Sequence, residues 1–191
     1  MASKTKPRYT PQEYLALERS SDLKHEYYAG EIFAMGGASE RHNIIVTNIV
    51  RELSLQFKGR PCKVYSNDMR VKVDPSGLYT YPDVIALCGK AMFDDEQRDT
   101  LLNPTLIIEV LSKSTEAYDR GEKFEHYRKI ESFGEYLLVS QDKHHIDHYV
   151  RRPDNQWLLS DASDIKDALE LPSLGSRLLL SEVYDKVDFA D

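Results

Sequence analysis

Two segments, Val84 to Cys88 and Thr105 to Leu111, are apolar at nearly every position. Each has one carboxylate, Asp83 at the mouth of the first and Glu109 inside the second. A strand with one solvated face alternates apolar and polar residues, so runs without alternation belong to strands covered on both faces. The chain therefore has to build a sheet with further layers on either side. A carboxylate buried in such a strand without a partner costs several kcal/mol or keeps its proton. Each acid could be satisfied separately, by a strand-end amide or a basic neighbour. Two in successive central strands point to a shared helper, and a hard cation held by carboxylate oxygens, Mg2+ or Mn2+, meets that need.

The rest of the pattern supplies the covering layers. Thr10-Pro11 with Glu13 predicts a short helix to about Arg19. Lys24 to Tyr28 and Glu31 to Ala34 flank Ala29-Gly30 as a hairpin. After Gly36-Gly37, Ser39 opens a helix with Ile45, Ile49, Leu53 and Phe57 at helical spacing. Cys62 to Tyr65 and Met69 to Val73 read as strands, followed by a turn at Asp74-Pro75-Ser76-Gly77. Glu116 to Ile130 reads as a helix, with Ala117, Phe124 and Tyr127 on its inner face. Tyr136 to Val139, His145 to Val150 and Trp157 to Ser160 read as strands, and Leu180 to Tyr184 as a closing helix. The order predicts an α/β (mixed α+β) fold, a mixed sheet flanked by helices. With 191 residues there is room for one sizeable core. We place an N-terminal helical extension over residues 1–23 and the domain over 24–191.

A third residue follows from geometry. From Glu109 to Ser112 a strand covers about 10 Å, and from Glu116 to Lys123 a returning helix covers about 10 Å. Lys123 comes back level with Glu109, at the border of the inner face. There an ammonium can neutralise charge on a phosphoryl group under attack; a snorkelling surface lysine is the plainer alternative.

The segments Glu26-Tyr27-Tyr28-Ala29-Gly30-Glu31, His42, Tyr81-Pro82-Asp83-Val84, Ile108-Glu109-Val110-Leu111-Ser112 and Asp119-Arg120-Gly121-Glu122-Lys123 resemble the Uma-two family. That family groups restriction-endonuclease-like proteins within the PD-(D/E)XK phosphodiesterase superfamily. The resemblance runs from about Lys24 to Val150. It implies a restriction-endonuclease-like central mixed sheet, a metal-dependent endonuclease activity on nucleic acid (DNA foremost), and metal binding by Asp83 and Glu109. The lysine that the superfamily carries two residues after its second acid is Leu111 here. The resemblance moves that role to Lys123. Ser140 and Gln141 stand where an acid often follows the next strand.

Composition sets bounds on this reading. A net charge of −7 argues against a protein that coats DNA non-specifically by neutralising phosphates, and does not exclude a nuclease. Two cysteines, Cys62 and Cys88, lack metal-site spacing and read as separate buried thiols rather than a disulfide. No apolar run is long enough for a bilayer, and the basic first ten residues lack a secretion signal, so no membrane partner and a cytoplasmic location are expected. Glu26, Glu31 and His42 are candidates for the site's edge. His144, His145 and His148 read as edge-strand polar residues, and Arg51, Lys58, Arg60 and Lys63 as a solvated basic face. Twelve tyrosines and apolar terminal strands suit a homodimer. Two other functions stay open: a binding or assembly module that keeps the fold without the chemistry, and a hydrolase of small phosphate esters.

Overall fold

Local signals at the head of the chain act as read. In the computed structural model, which describes residues 8–190, α1 (Pro11–Glu18) opens with a capping box. The Thr10 side chain accepts from the Glu13 N–H, and Glu13 accepts from the Thr10 N–H at 2.7 Å. Strands β1 (His25–Tyr28) and β2 (Glu31–Ala34) turn at Ala29-Gly30, whose φ angles are both positive, 50° and 88°. That is the twist tight hairpins require. Helix α2 (Glu40–Phe57) starts at its N-cap Ser39 and buries Ile45, Ile49, Leu53 and Phe57.

Strands β3 (Cys62–Ser66), β4 (Arg70–Val73), β5 (Leu78–Thr80), β6 (Val84–Cys88), β7 (Thr100–Leu101) and β8 (Leu106–Leu111) follow. Then come α3 (Glu116–Tyr118), a π-helical turn (Asp119–Lys123) and α4 (Phe124–Tyr127). The chain continues with β9 (Glu135–Ser140), β10 (Ile146–Arg151), β11 (Trp157–Ala162), the hairpin β12 (Ala168–Leu171) and β13 (Ser176–Leu179), and α5 (Leu180–Val183). The main sheet has the order β11-β10-β9-β8-β6-β3, with β8 and β9 parallel and the other pairs antiparallel. A second sheet has the order β2-β1-β5-β4-β7.

The two apolar runs are the middle of this arrangement. On one face of the main sheet Val84, Ala86, Ile108 and Val110 pack with Ile45, Ile49 and Leu53 of α2 and with Leu178 and Leu180. On the other, Ile85, Leu87, Ile107 and Leu111 pack with Tyr127 of α4 and with Val71, Val73 and Leu78 of the second sheet. Coverage on both faces is why neither strand alternates. The fold is mixed α+β, as the element order requires.

Several expectations are corrected. Short strands β5 and β7 carry too few residues to show a period, so the second sheet was not legible as a sheet, and for the same reason neither was the hairpin β12–β13. The helix expected over 116–130 ends at Tyr127 and widens into a π turn, and Ala117 faces solvent instead of the core. Cys62 and Cys88 are directly paired across β3 and β6 and joined as a disulfide, with Cys88 exposed. Their distance in sequence hid their adjacency in register. Strand β10 lies inside the sheet rather than at its edge, and His148 is buried 3.7 Å from Glu135. Arg60 is exposed, as read, and its guanidinium also donates to the Leu174 and Gly175 carbonyls. The segment read as an extension contributes Tyr14, fully buried against Tyr27 and Tyr79; residues 1–7 lie outside the described residues.

Truncating the doubly covered strand tests this packing. Ile108→Ala is expected to cost about 2–5 kcal/mol, and Leu159→Ala, on exposed β11, within about 0.5 kcal/mol of nothing, both read by urea denaturation.

Candidate active site

Register brings the two acids together. Strands β6 and β8 pair Ala86 with Leu106 and Val84 with Ile108, so one further step sets Asp83 opposite Glu109. Directly opposed residues of an antiparallel pair share a face, here the one covered by α4 and the second sheet. The contact is direct: the Asp83 N–H donates to Glu109 Oε2 at 3.4 Å, and Asp83 Oδ2 accepts from the Val110 N–H at 2.7 Å.

Lys123 completes the group from the π turn. Its Nζ lies 3.1 Å from Glu109 Oε1, 3.3 Å from Glu26 Oε1 and 3.3 Å from Asp119 Oδ1. Only 7% of the side chain is exposed, so this is a buried ammonium among three carboxylates, not a snorkelling one. Burial alone would pull the group towards its neutral form, but the carboxylates of Glu109, Glu26 and Asp119 outweigh it and hold the ammonium charged. Tyr127 donates to Glu109 Oε1 at 2.8 Å, and Thr80 donates to Glu26. Asp119 and Lys123 stand four residues apart at the two ends of the widened turn, and both are buried against the cleft. Such turns recur at functional sites because they re-aim side chains that a regular helix would turn away.

The other wall belongs to α2. His42 Nε2 lies 2.9 Å from Asp83 Oδ1. The helix start is held in place by Gln141: its amide accepts from Ser39 Oγ at 2.5 Å and donates to the Leu111 carbonyl at 2.6 Å. The residue that stands in place of an acid thus ties the head of α2 to the end of β8. Behind the cleft, the Tyr81 hydroxyl donates to Glu18 and accepts from Arg70, all three buried, which fixes the chain just before Asp83.

These groups line one cleft of about 640 Å3, whose wall includes Glu26, His42, Asp83, Glu109, Asp119 and Lys123. Of the residues singled out in the sequence, Asp83, Glu109, Lys123, Glu26 and His42 meet there; Glu31 is not part of the lining. Asp119 and Gln141 were missed as contributors. The i, i+4 spacing of Asp119 and Lys123 was the available signal for the first. Nothing in the sequence announced the second.

Oxygen donors opposite one another suit a hard cation. Asp119 Oδ1 is also a buried oxygen without a well-aligned hydrogen bond, despite its proximity to Nζ. Among the described residues no three His, Cys, Asp or Glu side chains form a ready cage.

The fold and site together define a mixed-sheet protein with an acid–acid–lysine cleft. The chain belongs to the Uma2 family, whose model, described as "Putative restriction endonuclease", matches residues 11–181. Two proteins of Synechocystis sp. (strain ATCC 27184 / PCC 6803 / Kazusa) are similar along most of their length. "Uncharacterized protein slr1290" is 36% identical over 183 residues, 96% of this chain and 95% of its own. "Uncharacterized protein sll1609" is 38% identical over 152 residues, 80% of this chain and 86% of its own. Among solved structures, a "putative nuclease belonging to DUF820" from Anabaena variabilis ATCC 29413 has the same fold. Its TM-score is 0.74 at 18% identity, covering 91% of this chain and 96% of that one.

Burial pushes the Glu109 carboxyl up to about 8, with the Lys123 ammonium opposing. Below 4.5, its ordinary value, Glu109 is protonated in folded and unfolded chains alike. Above that value the unfolded chain ionises more readily than the folded one, where burial opposes the carboxylate and Lys123 favours it, so stability falls as pH rises towards about 8. Glu109→Gln removes this dependence. Thermal denaturation without divalent cations should show the variant gaining on the parent chain across that range; a constant gap would mean Glu109 is ionised throughout.

Proposed function

We propose that the chain is a divalent-metal-dependent phosphodiester hydrolase, an endonuclease of the PD-(D/E)XK type. The observation that carries this reading is the convergence of Asp83, Glu109 and a buried, charged Lys123 in one cleft. Family membership supports it. Asp83 and Glu109 would hold the cation, Mg2+ or Mn2+, which when bound activates water and screens charge on the phosphate. Lys123 directs its ammonium at the reacting phosphoryl oxygens, where a fixed positive charge is worth most in a water-poor site. Glu109, Glu26 and Asp119 keep that ammonium charged and in place. His42 orients Asp83, and Gln141 fixes the helix that carries His42.

Nucleic acid, DNA foremost, is the proposed substrate, with a homodimer as the working assembly; the edge strand β11 exposes Leu158 and Leu159. No described helix is long and apolar enough to cross a membrane. A cytoplasmic setting is part of the proposal. The competing reading is a binding module that retains the fold. What favours it is that Lys123 already neutralises the carboxylates without a cation.

Metal binding separates the two. Mn2+ titrated into the purified chain should release heat and raise the melting temperature, and Asp83→Asn should abolish both. With Mg2+ or Mn2+, cleavage of DNA or RNA should fall roughly 100- to 1,000-fold in Asp83→Ala and in Lys123→Ala, the size of effect of one lost charge-stabilising contact. Cleavage that survives both substitutions, or Mn2+ that has no effect, would leave the binding module.

A further inference from the structure

The charges and rings of the cleft wall bear on which nucleic acid it can take. Seven acidic or basic side chains line it: carboxylates Glu26, Asp83, Glu109 and Asp119, ammoniums Lys24 and Lys123, and the imidazole of His42, 2.9 Å from Asp83. Lys123 is committed to three of the acids, and Lys24 is 2.9 Å from Asp68. A site that grips a duplex does so by neutralising many phosphates with Lys and Arg. Among the described residues no such stripe lines this wall. One bound dication would offset the acids but would hold only the phosphate under attack. The acids and Lys123 are also recessed, with the Glu109 side chain 4% exposed. A phosphate on a stiff, closed double helix approaches such a floor poorly, whereas an unpaired strand can bend into it.

Affinity must then come from the bases, and the rim offers the surface for it. Phe33 is a large apolar side chain, 48% exposed, on the cleft wall. Its place is set by register: β1 and β2 pair Glu26 directly with Phe33, so both side chains leave the hairpin on one face. Glu26 is bonded to Lys123, and Phe33 is therefore held at a fixed offset from the ammonium. A second ring, Tyr118, lines the cleft from α3, with Lys123 Nζ 5.7 Å from its centre. An exposed aromatic beside a phosphate-directed cation is how proteins hold unpaired bases, stacking a π-face that every base has.

We infer that the cleft takes single-stranded or locally unpaired nucleic acid, with Phe33 stacking a base next to the scissile phosphate. This deepens the proposed hydrolase and rests on that reading. The recognised chemistry is an unpaired nucleobase on a phosphodiester chain, which DNA and RNA both present.

The test uses the full chain carrying Asp83→Asn, so that binding is read without turnover. Short DNA and RNA strands with 2-aminopurine, and the matching duplexes, are titrated by fluorescence and anisotropy; cleavage by the parent chain is measured on the same substrates. Expected are quenching on binding of the single strands, weaker binding of the duplexes, and about a tenfold loss of single-strand affinity on Phe33→Ala, the scale of one stacked base. Phe33→Trp should restore it, and Met92→Ala, exposed and outside the cleft, should leave it unchanged. Phe33 is exposed, so the alanine variant is expected to fold; circular dichroism checks this. Duplex bound or cut as well as single strand, or Phe33→Ala binding like Met92→Ala, overturns the inference and leaves the hydrolase reading standing. Neither bound nor cut in any form overturns the hydrolase reading, and this inference with it.

Discussion

The ammonium of Lys123 is the interaction on which the cleft depends. Glu109, Glu26 and Asp119 come from a central strand, a hairpin of the second sheet and a helical turn, and they meet only because one cation stands among them. Without it, three carboxylates would share a poorly hydrated space, and burial would drive them to keep their protons. Buried ion pairs contribute little net stability, since desolvation cancels most of the attraction. Their consequence is specificity of arrangement. The second sheet is locked to the main one by charge as well as by the apolar contacts beneath.

Two devices set that arrangement. Asp119 and Lys123, four residues apart, both face the cleft from the π turn, while Ala117 turns outward and Tyr127 stays buried against Glu109. Gln141 does for α2 what the π turn does for Lys123. By joining Ser39 to the Leu111 carbonyl it references the helix that carries His42 to the strand that carries Glu109. The distance between His42 and Asp83 is thus set by groups outside the pair. Charge on the wall is concentrated on the floor, and the rim is left to aromatic and small residues. Glu26 and Phe33, paired across one hairpin, both line the cleft.

Much of this was legible without coordinates. Unbroken apolar runs required strands covered on both faces, and the β8 run sits between α2 and the second sheet as required. Caps and turn residues placed α1, the first hairpin and α2 within a residue or two, because those signals act through neighbours in the chain. The return of Lys123 to the level of Glu109 followed from rise per residue alone. The failures share one cause. Strands of two to four residues, such as β5, β7 and β12, show no period, and they form where other strands offer an edge. Cys62 and Cys88 are bonded because β3 and β6 pair in that register, and His148 is interior because β11 adds beyond it.

The order of residues by itself determined which segments must be buried, which acids would be costly there, and that a lysine one helix later could reach them. These are properties of spacing and polarity along a single segment. Tertiary structure alone decided the antiparallel step that sets Asp83 against Glu109, and the docking of the helical turn and of the first hairpin that brings Asp119, Glu26 and Phe33 to the same cleft. Each of those depends on how segments distant in the chain pack together, and that is chosen by whole faces rather than by any one residue.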